Sequence, residues 1–143
     1  MRAINRGAVR GGSQPMEIEH VGYIVHEPPA VARWYVQHLG FSVKRRVTGP
    51  PYTHFLADGS GRVMIEIYNN PAASVPDYRA MDPLVLHLAF SVEDVEAART
   101  RLLEAGATSA GPVTTTPDGD RLAMLRDPWG MPIQLVRRAE PMV

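Results

Sequence analysis

Two segments of the chain share one alternating pattern of polar and apolar positions. Residues 20–25 and 87–92 both read His, aliphatic, small, aromatic, variable, Val, at an offset of 67 residues. Alternation of this kind predicts a β-strand with one buried face. After each strand, apolar residues recur at spacings of three and four and then stop at a glycine, Gly40 or Gly106. This pattern predicts an amphipathic helix that ends at a C-terminal glycine. Ser91 is the expected N-cap of the second helix.

A second repeated feature lies later in each half, where a polar residue stands between two aliphatic ones. Glu66 follows His20 by 46 residues, and Gln134 follows His87 by 47. The matched spacing predicts two copies of one β-α-β-β-β module. The expected fold is α+β, with the two modules paired into a cupped mixed sheet around a cavity and the helices on its outer face.

The predicted boundaries follow from the turn residues between these patterns. The predicted strands are 16–25, 41–47, 52–57, 62–68, 85–92, a segment near 109–115, 121–126 and 131–137, and the helices are 29–39 and 94–105. The predicted divisions are a disordered arm at 1–15, the first module at 16–70, a proline-containing linker at 71–84, the second module at 85–138 and a tail at 139–143.

Composition narrows the possible classes of function. Of the 143 residues 45% are hydrophobic, enough for a core, but no apolar run approaches the length of a membrane span. The formal charge is zero, and the predicted arm holds three arginines and no acidic residue, so residues 16–143 carry −3. That balance argues against nucleic-acid binding. The absence of cysteine excludes a disulfide or a thiolate metal site. We expect a cytoplasmic protein with no membrane partner.

The polar residues of the predicted strands point to one kind of chemistry. His20, Glu66, His87 and Gln134 each lie on the strand face opposite the large apolar residues, so symmetric pairing of the modules would bring all four together. Imidazole, carboxylate and amide oxygen suit Ni, Zn, Fe, Mn or Co as a divalent ion. The plainer alternatives are hydrogen-bonded structural histidines and a solvated glutamate and glutamine.

Other side chains are candidates for the walls of a substrate pocket. Met64 and Tyr68 share the predicted face of Glu66. His54 lies on the third predicted strand, where the facing is ambiguous by one residue, and Trp129 lies in the turn at 127–130. We expect the arginine pairs at 45–46 and 137–138 to be solvated strand ends.

Four segments together resemble the vicinal oxygen chelate superfamily, which includes glyoxalase I, methylmalonyl-CoA epimerase, fosfomycin and bleomycin resistance proteins, and extradiol dioxygenases. They are residues 18–22, 34–41, 87–90 and 126–135, and the resemblance extends over about 16–137. It implies metal ligands at His20, Glu66, His87 and Gln134. It also shows a departure, because metal enzymes of this kind usually carry Glu where this chain has Gln134. Glutamine can ligate through its oxygen but cannot take a proton.

The resemblance implies a metal-dependent lyase or isomerase of glyoxalase type. Such an enzyme holds a small substrate through two neighbouring oxygens and stabilises an enediolate-like intermediate, with Glu66 moving the proton. Two alternatives remain, namely an extradiol-type ring-cleaving dioxygenase and a non-enzymatic drug-binding protein of bleomycin-resistance type. Open sheet edges and the resemblance both predict a homodimer.

Overall fold

The computed structural model describes residue 12 and residues 14–143. The predicted disordered arm, 1–15, therefore falls largely outside the described residues. The chain divides into two compact units, of which one runs to Val75 and the other spans Pro76–Met142. The division falls inside the segment 71–84, which the sequence marked as a linker. Each unit is described by itself below.

The first unit has the element order β-α-β-β-β. Its elements are β1 (His20–Ile24), α1 (Pro28–Leu39), β2 (Ser42–Arg46), β3 (His54–Ala57) and β4 (Met64–Tyr68). The sheet order is β1-β4-β3-β2, in which β1 pairs parallel to β4 and the other neighbours pair antiparallel. α1 begins with proline in its first turn, where no backbone N–H is needed, and ends at Gly40, whose φ of 72° is left-handed.

Alternation along the strands separates a buried face from an open one. Leu56, Ile65 and Ile67 are buried on the face that carries α1, which packs on β2 and β3. The intervening residues of β4 are only half-buried and lie on the opposite, open face of the sheet. The core of the first unit thus lies between the helix and one sheet face, and the polar positions of β4 are left on the other.

The second unit repeats this plan with one more strand. Its elements are a short 3₁₀ helix (Tyr78–Ala80), β5 (Leu88–Ser91), α2 (Val95–Glu104), β6 (Thr108–Ser109), β7 (Thr114–Thr115), β8 (Arg121–Arg126) and β9 (Pro132–Arg137). The sheet order is β5-β9-β8-β6, with β7 also paired to β8. As in the first unit, the first strand is parallel to the last. The predicted α+β class with two related modules is confirmed.

Four local predictions were wrong. The strand expected from residue 16 begins at His20, because its partner β4 begins opposite it at Met64. The strand expected near 109–115 is two short strands, because Gly111, with φ of 147°, and Pro112 interrupt it. The strand expected from residue 85 begins instead at Leu88. Its partner β9 begins at Pro132, which lies opposite position 87 and has no N–H to donate to the preceding residues. The N-cap of α2 is Asp94, whose carboxylate accepts the Ala97 N–H at 2.9 Å, and not Ser91, which ends β5.

The segment before β5 is anchored to its own unit by a guanidinium group. Arg126 Nη1 donates to Tyr78 O at 2.7 Å, and Nη2 donates to Met81 O at 2.9 Å. The predicted linker is therefore held in place from residue 78 onward. Among the residues that the structure describes, no helix has the length and apolarity needed to cross a membrane.

The turn between β8 and β9 requires a glycine. Asp127 is 1% exposed and accepts the backbone N–H groups of Trp129 and Met131 at 2.9 and 3.0 Å. Gly130 follows with φ of 97°, and a Cβ built there would lie 2.7 Å from the backbone N of Arg79. This close approach ties the turn to the 3₁₀ helix of the same unit.

We predict that Gly130→Ala destabilises the protein by about 2–4 kcal/mol, because it adds a left-handed backbone penalty to a clash with backbone. The matched control is Gly59→Ala, since a Cβ at Gly59 meets nothing within 4 Å. That control should change stability by about 0.5 kcal/mol or less. Urea unfolding measures both, and equal effects would contradict this account of the turn.

Candidate functional site

Parallel pairing of β1 with β4 brings His20 and Glu66 together. Gly22 pairs with Glu66, so His20 stands two residues ahead of that pairing on the same open face. His20 Nε2 lies 3.1 Å from Glu66 Oε2, and the two side chains are 35% and 24% exposed. The absence of a side chain at Gly22 leaves room here, because a Cβ built on it would lie 3.4 Å from Glu66 Oε2 and 3.6 Å from Tyr68 Cε1.

The other ring nitrogen of His20 faces a second carboxylate. Glu19 Oε1 lies 3.0 Å from His20 Nδ1. The ring also meets Phe55 edge-on, with centroids 5.5 Å apart and planes at 86°. Phe55 belongs to the same face because it pairs with Glu66 across β3 and β4. His20 is thus oriented from two sides, with Nε2 directed at Glu66.

The second unit repeats this register. Ala89 on β5 pairs with Gln134 on β9, so His87 stands two residues ahead of that pairing, just as His20 does in the first unit. His87 Nδ1 lies 2.8 Å from the backbone oxygen of Pro83. A ring nitrogen beside a carbonyl oxygen donates its proton there, which leaves Nε2 as the nitrogen with a lone pair.

The His20–Glu66 pair fits two ligands of one divalent ion in chemistry and in spacing. Two ligands with bonds of about 2.0–2.2 Å and a bond angle near 90–110° lie about 3.0–3.5 Å apart, which matches the His20–Glu66 separation. A histidine whose Nδ1 is held by an oxygen acceptor is also the usual arrangement around bound metals. The described residues contain no group of three His, Asp or Glu side chains assembled for one ion. The structure therefore joins His20 to Glu66 within the first unit, and His87 and Gln134 belong to the second.

Comparison with known proteins identifies the family. The sequence profile of the glyoxalase/bleomycin resistance protein/dioxygenase superfamily matches residues 17–135. The chain belongs to this superfamily. The family resemblance deduced from residues 18–22, 34–41, 87–90 and 126–135 is thereby confirmed.

Solved structures agree with this assignment. SMU.1112c is 32% identical, with 87% of this chain and 100% of that one covered and a TM-score of 0.68. A glyoxalase family protein from Enterococcus faecalis is 30% identical, with coverage of 85% and 97% and a TM-score of 0.66. TnmS3, an antibiotic binding protein from Streptomyces sp. CB03234, shares the fold at 23% identity, with coverage of 89% and 99% and a TM-score of 0.69. The comparison with curated proteins found no match.

Two further predicted pocket residues of this superfamily member are described each within its own unit. His54 is 7% exposed, pairs with Ile67 on the helix-covered face, and has its Nδ1 2.7 Å from Tyr52 O. It therefore lies on the face opposite Glu66. Trp129 lies in the β8–β9 turn of the second unit, half-buried, with its backbone N–H donated to Asp127.

The open face of the first unit also contains a pocket of about 230 Å³, which we call the open-face pocket. Its lining residues are Glu19, Lys44, Arg45, Phe55 and Met64. Met64 was a predicted pocket residue, whereas the other four were missed. Adjacency to His20 could have suggested Glu19. For Lys44 and Arg45 the sequence offers no signal, because a run of polar residues has no alternation from which to deduce facing.

Proposed function

We propose that this superfamily member is a metal-dependent lyase or isomerase of glyoxalase type. The observation that carries the proposal is the His20 Nε2–Glu66 Oε2 separation of 3.1 Å, with Nδ1 already engaged by Glu19. Superfamily members generally bind divalent metals. The proposed ligands are His20, Glu66, His87 and Gln134, and the ion is Ni, Zn, Fe, Mn or Co.

The four side chains would divide the work by their chemistry. A bound divalent ion would supply Lewis acidity to two neighbouring oxygens of a small substrate. Glu66 is the one carboxylate of the set, so it is the group that can accept and return a proton. Gln134 can offer only a neutral oxygen. Glu19, 3.0 Å from His20 Nδ1, would orient the ring as a ligand.

The first test is metal affinity. Glu66→Gln should weaken Ni²⁺ or Zn²⁺ binding at least about tenfold, because it removes the only anionic ligand. Gln134→Glu should tighten binding, because it adds a negative ligand of the same length. Glu17→Gln and Gln37→Glu are the matched controls, since both residues are exposed and change charge by the same amount. Calorimetry and elemental analysis measure all four.

Two outcomes would contradict the proposed site. Equal affinities for Gln134→Glu and the wild type would remove Gln134 from the ligand set. Unchanged metal affinity in Glu66→Gln would exclude Glu66, the carboxylate on which the mechanism depends, from the ligand set. Once a substrate is found, loss of Glu66 as the proton carrier should lower turnover by about 10²–10⁴-fold.

A non-enzymatic ligand-binding protein is the second candidate. The open-face pocket favours it, because Phe55 and Met64 offer apolar walls beside the polar pair. The fold is also that of TnmS3, which is described as an antibiotic binding protein. A protein purified without chelators that holds no metal yet binds a small molecule would support this alternative. Oxygen consumption with a catechol would instead indicate the extradiol dioxygenase.

We infer that two copies of the chain assemble into a homodimer. Superfamily members often form dimers. β1 and β5 are each the outermost strand of their own sheet, and Leu84 and Val85, just before β5, are 87% and 72% exposed. Open edges and exposed aliphatic side chains are usually covered in assemblies.

Light scattering at micromolar concentration should therefore give twice the 15.7 kDa mass of one chain. Replacing Leu84 and Val85 together by Ser should lower this mass towards the monomer, because it removes apolar surface from the contact. The control is Val36→Ser, since Val36 is 40% exposed on α1. A wild-type mass of one chain would contradict the dimer.

A further inference from the structure

We propose that the open-face pocket binds the anionic group of a small molecule, with Lys44 and Arg45 as its recognition residues and Phe55 and Met64 as the surface for its apolar part. The ligand class is an aromatic or similarly flat apolar group that carries a carboxylate or a phosphate. The inference rests on the proposed function in one respect, in that it takes the pocket beside His20 and Glu66 to be the substrate site.

A bulge in β2 presents both cations to the same pocket. Val43 pairs with Leu56 and Arg45 pairs with Phe55, so Lys44 is an extra residue between two consecutive pairings. In a regular strand neighbouring side chains point to opposite faces, and Lys44 and Arg45 could not line one pocket together. The inserted residue removes this restriction, and both side chains line the open-face pocket. Bulges of this kind often re-aim side chains next to active sites.

The charges of the pocket favour an anion. Lys44 and Arg45 outnumber the single carboxylate of the lining, Glu19, and that carboxylate already faces His20 Nδ1 at 3.0 Å. The ion pairs of the described residues include neither Lys44 nor Arg45. Both cations are therefore available to a ligand, and the arginine can bind a carboxylate or phosphate through two parallel N–H groups.

The apolar lining and the size of the pocket define the rest of the ligand. Phe55 and Met64 contribute an aromatic ring and a thioether, which favour contact with a flat apolar group. A cavity of about 150 Å³ holds one benzene ring, so about 230 Å³ accommodates a ring with a short acidic substituent. Phe55 also touches the His20 ring edge-on, at 5.5 Å between centroids. A ligand in this pocket would thus lie beside the His20–Glu66 pair.

The test uses the full chain after removal of metal with a chelator. Phenylacetate and phenyl phosphate are titrated and binding is followed by NMR, with neutral phenylacetamide and ring-free acetate as matched probes. We expect the two aromatic anions to bind with millimolar dissociation constants, and phenylacetamide and acetate to bind at least about threefold more weakly. The order of phenylacetate and phenyl phosphate assigns the anion as carboxylate or phosphate. Added salt should weaken the anions only.

Three variants locate the site. Lys44→Met and Arg45→Met should each weaken phenylacetate binding about two- to fivefold, which is the range for exposed charge pairs. Arg46→Met is the matched control, because Arg46 is exposed and pairs with His54, whose side chain lies on the helix-covered face. It should leave the affinity within about twofold of the wild type.

The proposal is overturned if phenylacetamide binds as well as phenylacetate, if Arg46→Met costs as much as Arg45→Met, or if neither aromatic anion binds at about 10 mM. Metal affinity is measured on the same preparations. Retained anion binding without any metal affinity contradicts the proposed function and leaves the pocket assignment intact. Metal affinity without anion binding contradicts only the pocket assignment.

Discussion

Parallel pairing between the first and last strands of each unit is the constraint on which the rest of the site depends. It fixes Gly22 opposite Glu66 and Ala89 opposite Gln134. Each histidine therefore lies at the start of the first strand of its unit or directly before it, two residues before the position that pairs with Glu66 or Gln134. Shifting either register by one residue would move the polar side chain to the helix-covered face, where Ile67 and its neighbours are buried. Burial of the aliphatic residues therefore positions the polar ones, and the core and the site are set by the same alternation.

Much of this architecture could be read from the chain, because alternation and repeat spacing are properties of the sequence. The 46- and 47-residue spacings predicted the matched registers, glycine predicted where both helices end, and proline predicted where α1 begins. What escaped prediction depends on single residues or on contacts distant in sequence. The facing of His54 was ambiguous because residues 54–57 are largely apolar on both faces, and the bulge at Lys44 lies in a run of polar residues without periodicity. The engagement of the two Nδ1 atoms, by Glu19 and by Pro83 O, depends on side-chain rotamers that no pattern encodes.

The two Nδ1 contacts matter because a histidine has two chemically distinct ring nitrogens. In the second unit the carbonyl oxygen at His87 Nδ1 selects the tautomer that leaves Nε2 with its lone pair. In the first unit both ring nitrogens of His20 face a carboxylate, Glu19 at Nδ1 and Glu66 at Nε2. The carboxylate carries a full negative charge and the carbonyl only a dipole, so the two rings are held by contacts of different strength. The two modules are therefore alike in register and unlike in the electrostatics around the corresponding imidazoles.

The same asymmetry bears on what kind of substrate the proposed shell would accept. Two neutral imidazoles, one carboxylate and one amide leave a divalent ion with a net charge of +1, whereas a second carboxylate at position 134 would neutralise it. A shell with residual positive charge attracts an anionic oxygen ligand more strongly than a neutral one. The pocket on the same face as His20 and Glu66 adds two positive charges, Lys44 and Arg45, and one negative charge, Glu19. If Gln134 completes the shell as proposed, its neutral oxygen and the two cations at the β2 bulge would favour the same class of small anionic ligand.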